Sequence, residues 1–248
     1  MQLSFKIGKL FSLDTFASLW EHAVRATHPV DATRILATID RDEIAWISQA
    51  YPRRAGARRI NAWDDVAHWI DINVKRAQDL WLDRAAPLHI LDLGCGAGYF
   101  LSVCRFLGHS GIGLDIGDDP FFAAMVAQFG VKRVIWRIEP GVPLAELGEK
   151  FDLVTAYRVC FHRTTREPNG IWNEWTPADW KFFIDDVRTR FLKPNGRLFL
   201  EFNPRPDGSS FFTPELRQFF LAEGARIFRS KALFAADSKQ RPGFKQIT

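Results

Sequence analysis

Leu88-His89-Ile90-Leu91-Asp92-Leu93-Gly94-Cys95-Gly96-Ala97-Gly98 decides how this chain folds. A short, mostly apolar run ends in glycines at alternate positions. Such a run fits a strand buried on both faces of a parallel sheet. Glycines permit a tight turn and leave the backbone open to a ligand. Helical spacing resumes at once over Tyr99–Leu107. The glycines therefore join a strand to a helix, the context that gives a Gly-x-Gly-x-Gly pattern its meaning.

Downstream, the pattern alternates. Gly111–Ile116 reads as a strand, Pro120–Phe129 as a helix, and Lys132–Ile138 and Phe151–Tyr157 as strands. Thr176–Phe191 reads as a helix, Gly196–Phe202 as a strand, and Thr213–Glu223 as a helix. Both of these helices open with a Thr cap followed by Pro, a residue suited to the first helical position. Ala225–Phe234 and Gly243–Thr248 form a candidate terminal hairpin. Strands alternating with helices imply a doubly wound, mostly parallel α/β sheet.

Upstream, residues 1–86 read as helical. Asp14 to about Thr27 carries Phe16, Leu19, Trp20, Ala23 and Val24 at helical spacing. Short helices follow near Asp31–Ile39 and Asp42–Ala50, the latter ended by Tyr51-Pro52. Residues 61–84 carry a long amphipathic stripe through Trp63, Val66, Trp69, Ile70, Val74, Ala77, Leu80 and Trp81, with Asn61 as a candidate cap. The pattern changes at Pro87. The expected division is thus a helical extension or cap over 1–86 and a ligand-binding domain over 87–248.

A chain of 248 residues that is 47% hydrophobic and 25% charged suits a globular domain with an appended helical piece. Its 22 Phe and 9 Trp supply an aromatic core. The net charge of +4 is too mild to demonstrate a nucleic-acid partner. Basic residues do cluster at Arg53, Arg54, Arg58 and Arg59, and again at Arg226, Arg229, Lys231, Lys239, Arg241 and Lys245. Each cluster suits an acidic partner or a solvated surface. Cys95, Cys104 and Cys160 have neither zinc spacing nor an even count, so neither a metal site nor a disulfide framework is expected. No secretory signal and no long apolar span are read, which fits a cytoplasmic protein without a membrane segment.

These segments resemble class I S-adenosylmethionine-dependent methyltransferases over roughly Leu88–Phe202, and more loosely to Thr248. Ile90–Gly98 is similar to the family's first motif. That resemblance implies Asp92, Gly94, Cys95, Gly96 and Gly98 around the methionine part of S-adenosylmethionine. Asp115, at the end of the next strand, matches the ribose-binding acid, with Ile116 beside adenine. Phe151–Tyr157 resembles the fourth-strand motif, and Leu192-Lys193-Pro194-Asn195-Gly196 the turn into the fifth strand. The resemblance implies a Rossmann-like sheet of seven strands. Arg137-Ile138-Glu139-Pro140 departs from the pattern, so Glu139 is either an adenine contact or an exposed turn acid.

A nicotinamide dinucleotide is the competing cofactor. It calls for Gly-x-Gly-x-x-Gly and places a pyrophosphate at the helix start. Asp92 would repel a pyrophosphate, but it can pair with the ammonium of a methionine moiety. That sign favours S-adenosylmethionine.

The acceptor belongs after the fourth strand. His162 is the candidate base, against a surface or structurally bonded histidine. Tyr157 either lines the cofactor pocket and touches the reaction or simply packs. Cys160 reads as a buried, inert thiol. Trp172 and Trp175 form a lid or anchor their loop, and Arg163 and Arg166 are candidates to hold an acidic group. Asn203–Gly208 is a second loop at the same edge. The family's Asn/Asp-Pro-Pro-aromatic and Pro-Cys motifs of base methylation are absent. The expectation is a small-molecule methyltransferase acting on oxygen or nitrogen. RNA- or protein-directed methylation, or cofactor binding without catalysis, are the alternatives.

Overall fold

The computed structural model describes residues 25–51, 63–166, 172–205 and 208–236, with the side chains of 163–166 and 172 outside the description. The expected helix at 14–27, Asn61 and the cluster at Arg53–Arg59 lie wholly or largely outside these residues, as does the segment from Lys239 to Thr248.

A seven-stranded sheet forms the centre, in the order β3-β2-β1-β4-β7-β9-β8. Its strands are β1 (His89–Leu93), β2 (Ser110–Asp115), β3 (Lys132–Ile135), β4 (Phe151–Tyr157), β7 (Leu192–Glu201), β8 (Arg226–Phe228) and β9 (Lys231–Ala235). The first five are mutually parallel, and β9 and β8 return antiparallel. This is the doubly wound, mostly parallel arrangement that the alternation implies.

Helices cover both faces. On one lie α1 (Ala32–Leu36), α2 (Arg41–Ala50), α3 (Val66–Asp79), α4 (Tyr99–Phe106) and α5 (Pro120–Gln128). Ile35, Ile47 and Ile70 from the N-terminal helices share one apolar cluster with Ile90, Leu153 and Phe199 of the sheet. On the other face, α6 (Pro177–Asp186) and α7 (Pro214–Ala222) bury Trp180, Phe183 and Phe220 against Val154, Leu198 and Phe234. Asp79 ties the N-terminal helices to β9, at the antiparallel end of the sheet. It accepts from Lys231 Nζ at 2.8 Å and from Arg25 Nη2 at 2.5 Å.

Several element boundaries differ from expectation. The long helix begins at Val66, capped by Asp65, which accepts from the His68 amide at 3.1 Å. It ends before a single turn at Leu82–Arg84, where Trp81 takes φ +63°. The third strand stops at Ile135 and does not reach Ile138. Only the Trp136 amide continues its pairing, donating to Asp115 O at 2.8 Å, before the chain leaves the sheet towards Pro140. The helix from Thr176 gives way to a wider turn at Val187–Phe191, and the fifth parallel strand starts at Leu192 with a register shift against β4. Ala225–Phe234 is not one strand. It is the hairpin β8–β9 itself, turned at Arg229 with φ +51°.

The connection after β4 also holds an unexpected hairpin. β5 (His162–Arg166) pairs antiparallel with β6 (Trp172–Glu174). Among the described residues, no helix is long and apolar enough to cross a membrane, and no cluster of His, Cys, Asp and Glu is fit to hold a metal ion.

Candidate active site

The chain runs from β1 outward to β3, then returns to build β4 and β7 on the other side of β1. Strand order therefore reverses between β1 and β4. Ligands of such sheets bind at that crevice, beyond the carboxyl ends of the strands. A cavity of about 520 Å³ opens there, a size suited to a small ligand. Its wall includes every residue expected to hold the cofactor except Gly98, and with them the candidate base His162.

The glycine turn forms the floor. Gly94 has φ +68°, and a Cβ there would sit 2.6 Å from Val159 Cγ2. Backbone conformation and space both demand glycine at this point. Gly98 is not on the wall. It starts α4 with φ +82°, and a Cβ there would sit 3.4 Å from Val126 Cγ2 and Val131 Cγ2. Cys95 is buried beneath β2, with its Sγ where a Gly113 side chain would stand. Burial pushes its thiol pKa well above the ordinary range, with Asp92 and Asp115 adding to the rise. It is a packing residue on the wall.

Asp115 ends β2 and braces the turn. Oδ2 accepts from the Gly96 amide at 2.8 Å, and Oδ1 accepts from the Ile116 amide at 2.9 Å. Each oxygen retains a further lone pair for a ligand hydroxyl. Ile116 is 40% exposed on the cavity wall, and Glu139 and Pro140 line it from the loop after β3.

Asp92 is 3% exposed and accepts from the Thr155 hydroxyl at 2.7 Å. Burial pushes its pKa up to about 7, with the Thr155 bond and the Arg76 charge pulling down and Asp115 pushing up. A buried carboxylate held this high lacks a full counter-charge.

Sequence reasoning missed Arg76. It projects from α3, donates to Asn73 Oδ1 at 3.1 Å, and lies 4.3 Å over the Tyr157 ring. Trp69, Asn73 and Arg76 recur at helical spacing and all line the cavity. That spacing is the signal that would have revealed them. Trp63 and Trp69 stack with ring centres 3.8 Å apart, and Tyr99 donates to Trp63 O at 2.5 Å.

Tyr157 presents its ring to the cavity wall, but its hydroxyl is buried and has no hydrogen-bond partner among the described residues. Burial drives its pKa well up, opposed by Arg76. The geometry is that of a packing ring under a cation.

His162 lies on the wall at the start of β5, its amide donating to Cys160 O at 3.1 Å. Cys160 is exposed, contrary to the expectation of a buried thiol. Arg158 takes φ +58° and turns the chain out of the sheet just before it. Trp175 is no lid: it is 5% exposed and packs 5.0 Å from both Phe161 and Trp180. Trp172, Arg163 and Arg166 have side chains outside the description. Asn203 reaches the wall from the end of β7.

No family model matches the chain. Among curated proteins, the tRNA U34 carboxymethyltransferase of Hydrogenovibrio crunogenus is 32% identical over 154 residues, 56% of this chain and 41% of that protein. The ubiquinone biosynthesis O-methyltransferase of Pseudomonas syringae pv. tomato is 32% identical over 136 residues, 52% of this chain and 50% of its own length. The chain thus spans about half the length, or less, of the curated relatives it matches. Among solved structures, DesVI of Streptomyces venezuelae overlaps 79% of this chain and 98% of its own, with TM-score 0.47 and 13% identity. The amino pentose methyltransferase CalS10 of Micromonospora echinaspora, solved with S-adenosylmethionine, overlaps 56% of this chain and 53% of its own, with TM-score 0.39 and 23% identity.

Proposed function

We propose that this chain, a relative of the class I S-adenosylmethionine-dependent methyltransferases, binds S-adenosylmethionine in the cavity at the β1/β4 switch point and methylates a small molecule, at oxygen or nitrogen. The observation that carries this is Asp92: a buried acid, pushed up to about 7, beside a glycine floor. It suits an ammonium group and disfavours a pyrophosphate. Arg76 supplies the complementary cation for the carboxylate of the same amino-acid moiety. Asp115 accepts ribose hydroxyls, and Ile116 and Glu139 flank adenine.

When bound, the cofactor supplies an electrophilic methyl group on sulfur. The chain's own residues hold and enclose it. Asp92 and Arg76 fix the amino-acid end, and the Trp63–Trp69 stack excludes water along one wall. Arg158, His162 and Asn203 border the space left for the acceptor at the β4–β7 end. His162 takes the acceptor proton if the nucleophile requires deprotonation.

An RNA acceptor is the second reading, supported by the tRNA-directed relative. Of the basic C-terminal cluster, Lys231 is engaged with Asp79 inside the fold. A cytoplasmic site of action belongs to the same proposal. Incubation with methyl-labelled S-adenosylmethionine and a fractionated cell extract tests the choice. Label in the small-molecule fraction supports the proposal, and label confined to RNA or protein refutes it.

A further inference from the structure

We propose that Arg158 determines specificity at the acceptor site, and that the acceptor carries a carboxylate or phosphate which this guanidinium holds. The inference rests on the methyltransferase proposal above.

The backbone at Arg158 asks for a different residue. Its φ of +58° lies in the left-handed region, where a Cβ is unfavourable and glycine or asparagine is the ordinary occupant. The conformation is pinned by main-chain contacts that any residue can make. The Arg158 amide donates to Glu201 O at 2.7 Å, and Asn203 Nδ2 donates to Arg158 O at 3.2 Å. An arginine kept at a strained position points to work done by its side chain.

That side chain is not explained by packing. It is 60% exposed, and Nε donates to Glu201 Oε1 at 3.2 Å. An exposed single-point pair stabilises a fold very little. It does aim the guanidinium. With Nε taken, Nη1 and Nη2 donate to no described residue and remain available to a planar anion, for which arginine is well suited.

Its place in the sheet assigns the anion to the acceptor. The residues assigned to the cofactor above lie on α3, β1, β2 and the loop after β3. Arg158 follows β4, one strand beyond β1, beside His162 and Asn203 on the same cavity wall.

The test uses the full chain with Arg158→Gly and Arg158→Lys. Calorimetry with S-adenosylhomocysteine comes first, and equal affinity is expected in all three proteins. Failure of the wild type to bind overturns the methyltransferase reading and this proposal with it. Ligand-observed NMR on the saturated proteins then uses benzoate, phenyl phosphate and benzyl alcohol as probes. The wild type should bind at least one anion, and Arg158→Gly should weaken it by about tenfold, the loss of one charge-assisted hydrogen bond. Arg158→Lys should regain part of this, and benzyl alcohol should not distinguish the proteins. The preferred anion tells carboxylate from phosphate. Arg158→Gly should melt no lower than wild type, because its backbone suits glycine. Cofactor binding without an anion effect, or a lower melting point in Arg158→Gly, overturns this proposal alone. So does a short RNA that binds more tightly than both anions and is lost in the glycine variant.

Discussion

Replacing Asp92 by Asn should convert a pH-dependent ligand site into a pH-indifferent one. The folded-state pKa of about 7 stands well above the ordinary 3.8, with burial as the main cause. A gap of roughly three units corresponds to about 4 kcal/mol favouring the neutral acid. The group is 3% exposed, so solvent screening removes little of this. A raised carboxyl pKa means that the folded chain keeps a proton the unfolded chain has released. Stability of the ligand-free protein is therefore full below the unfolded pKa, falls as pH rises towards 7, and levels off above it. A bound ammonium requires the ionised acid, so binding below pH 7 must expel that proton. S-adenosylhomocysteine, which carries the same amino-acid end, should bind about tenfold more weakly near pH 6 than near pH 8. Asp92→Asn preserves the Thr155 hydrogen bond to its amide oxygen. It should raise the melting temperature of the ligand-free protein near pH 8 while weakening the ligand there by ~1.5–3 kcal/mol. Calorimetry in two buffers of different ionisation heat reads both affinity and proton release. A wild-type affinity that is flat from about pH 6 to 8, or an unchanged slope in Asp92→Asn, refutes the reasoning.

Two further perturbations test the scaffold. Gly94→Ala places a Cβ 2.6 Å from Val159 Cγ2 at φ +68°, so it should cost at least ~1–2 kcal/mol in thermal unfolding and abolish S-adenosylhomocysteine binding; adding Val159→Ala should recover part of the stability, and no recovery would disprove the clash. Asp79→Asn removes the charge shared by Arg25 and Lys231, so it should lower stability by ~1–3 kcal/mol and loosen α3, weakening cofactor affinity through Arg76; unchanged unfolding and unchanged affinity would show that the tether does not position the helix.

The glycine turn and Asp115 are legible in the sequence because strand, turn and acid are local patterns. Both fall where the alternation of apolar runs places them. Arg76 is not legible in that way. It sits on a helix whose apolar stripe accounts for packing, and only the fold brings α3 over Asp92. Polar Asn73 and Arg76 in step with Trp69 are the trace of that role. The hairpin β5–β6 is also missed, although Thr164 and Thr165 favour strand and Asn169-Gly170 is a hairpin signal. Trp175 reads equally as lid or anchor, and tertiary packing on Trp180 decides for the anchor. Cys160 looked buried by residue type, but the left-handed turn at Arg158 carries it outward.

Equilibrium binding of S-adenosylhomocysteine and of NAD, to wild type and to Asp115→Ala, tests the central claim most directly. The account predicts that S-adenosylhomocysteine binds the wild type, loses ~1–3 kcal/mol in Asp115→Ala as ribose hydroxyls lose their acceptor, and that NAD does not compete. Tighter binding of NAD, or an Asp115→Ala protein that binds S-adenosylhomocysteine as well as the wild type, would contradict it.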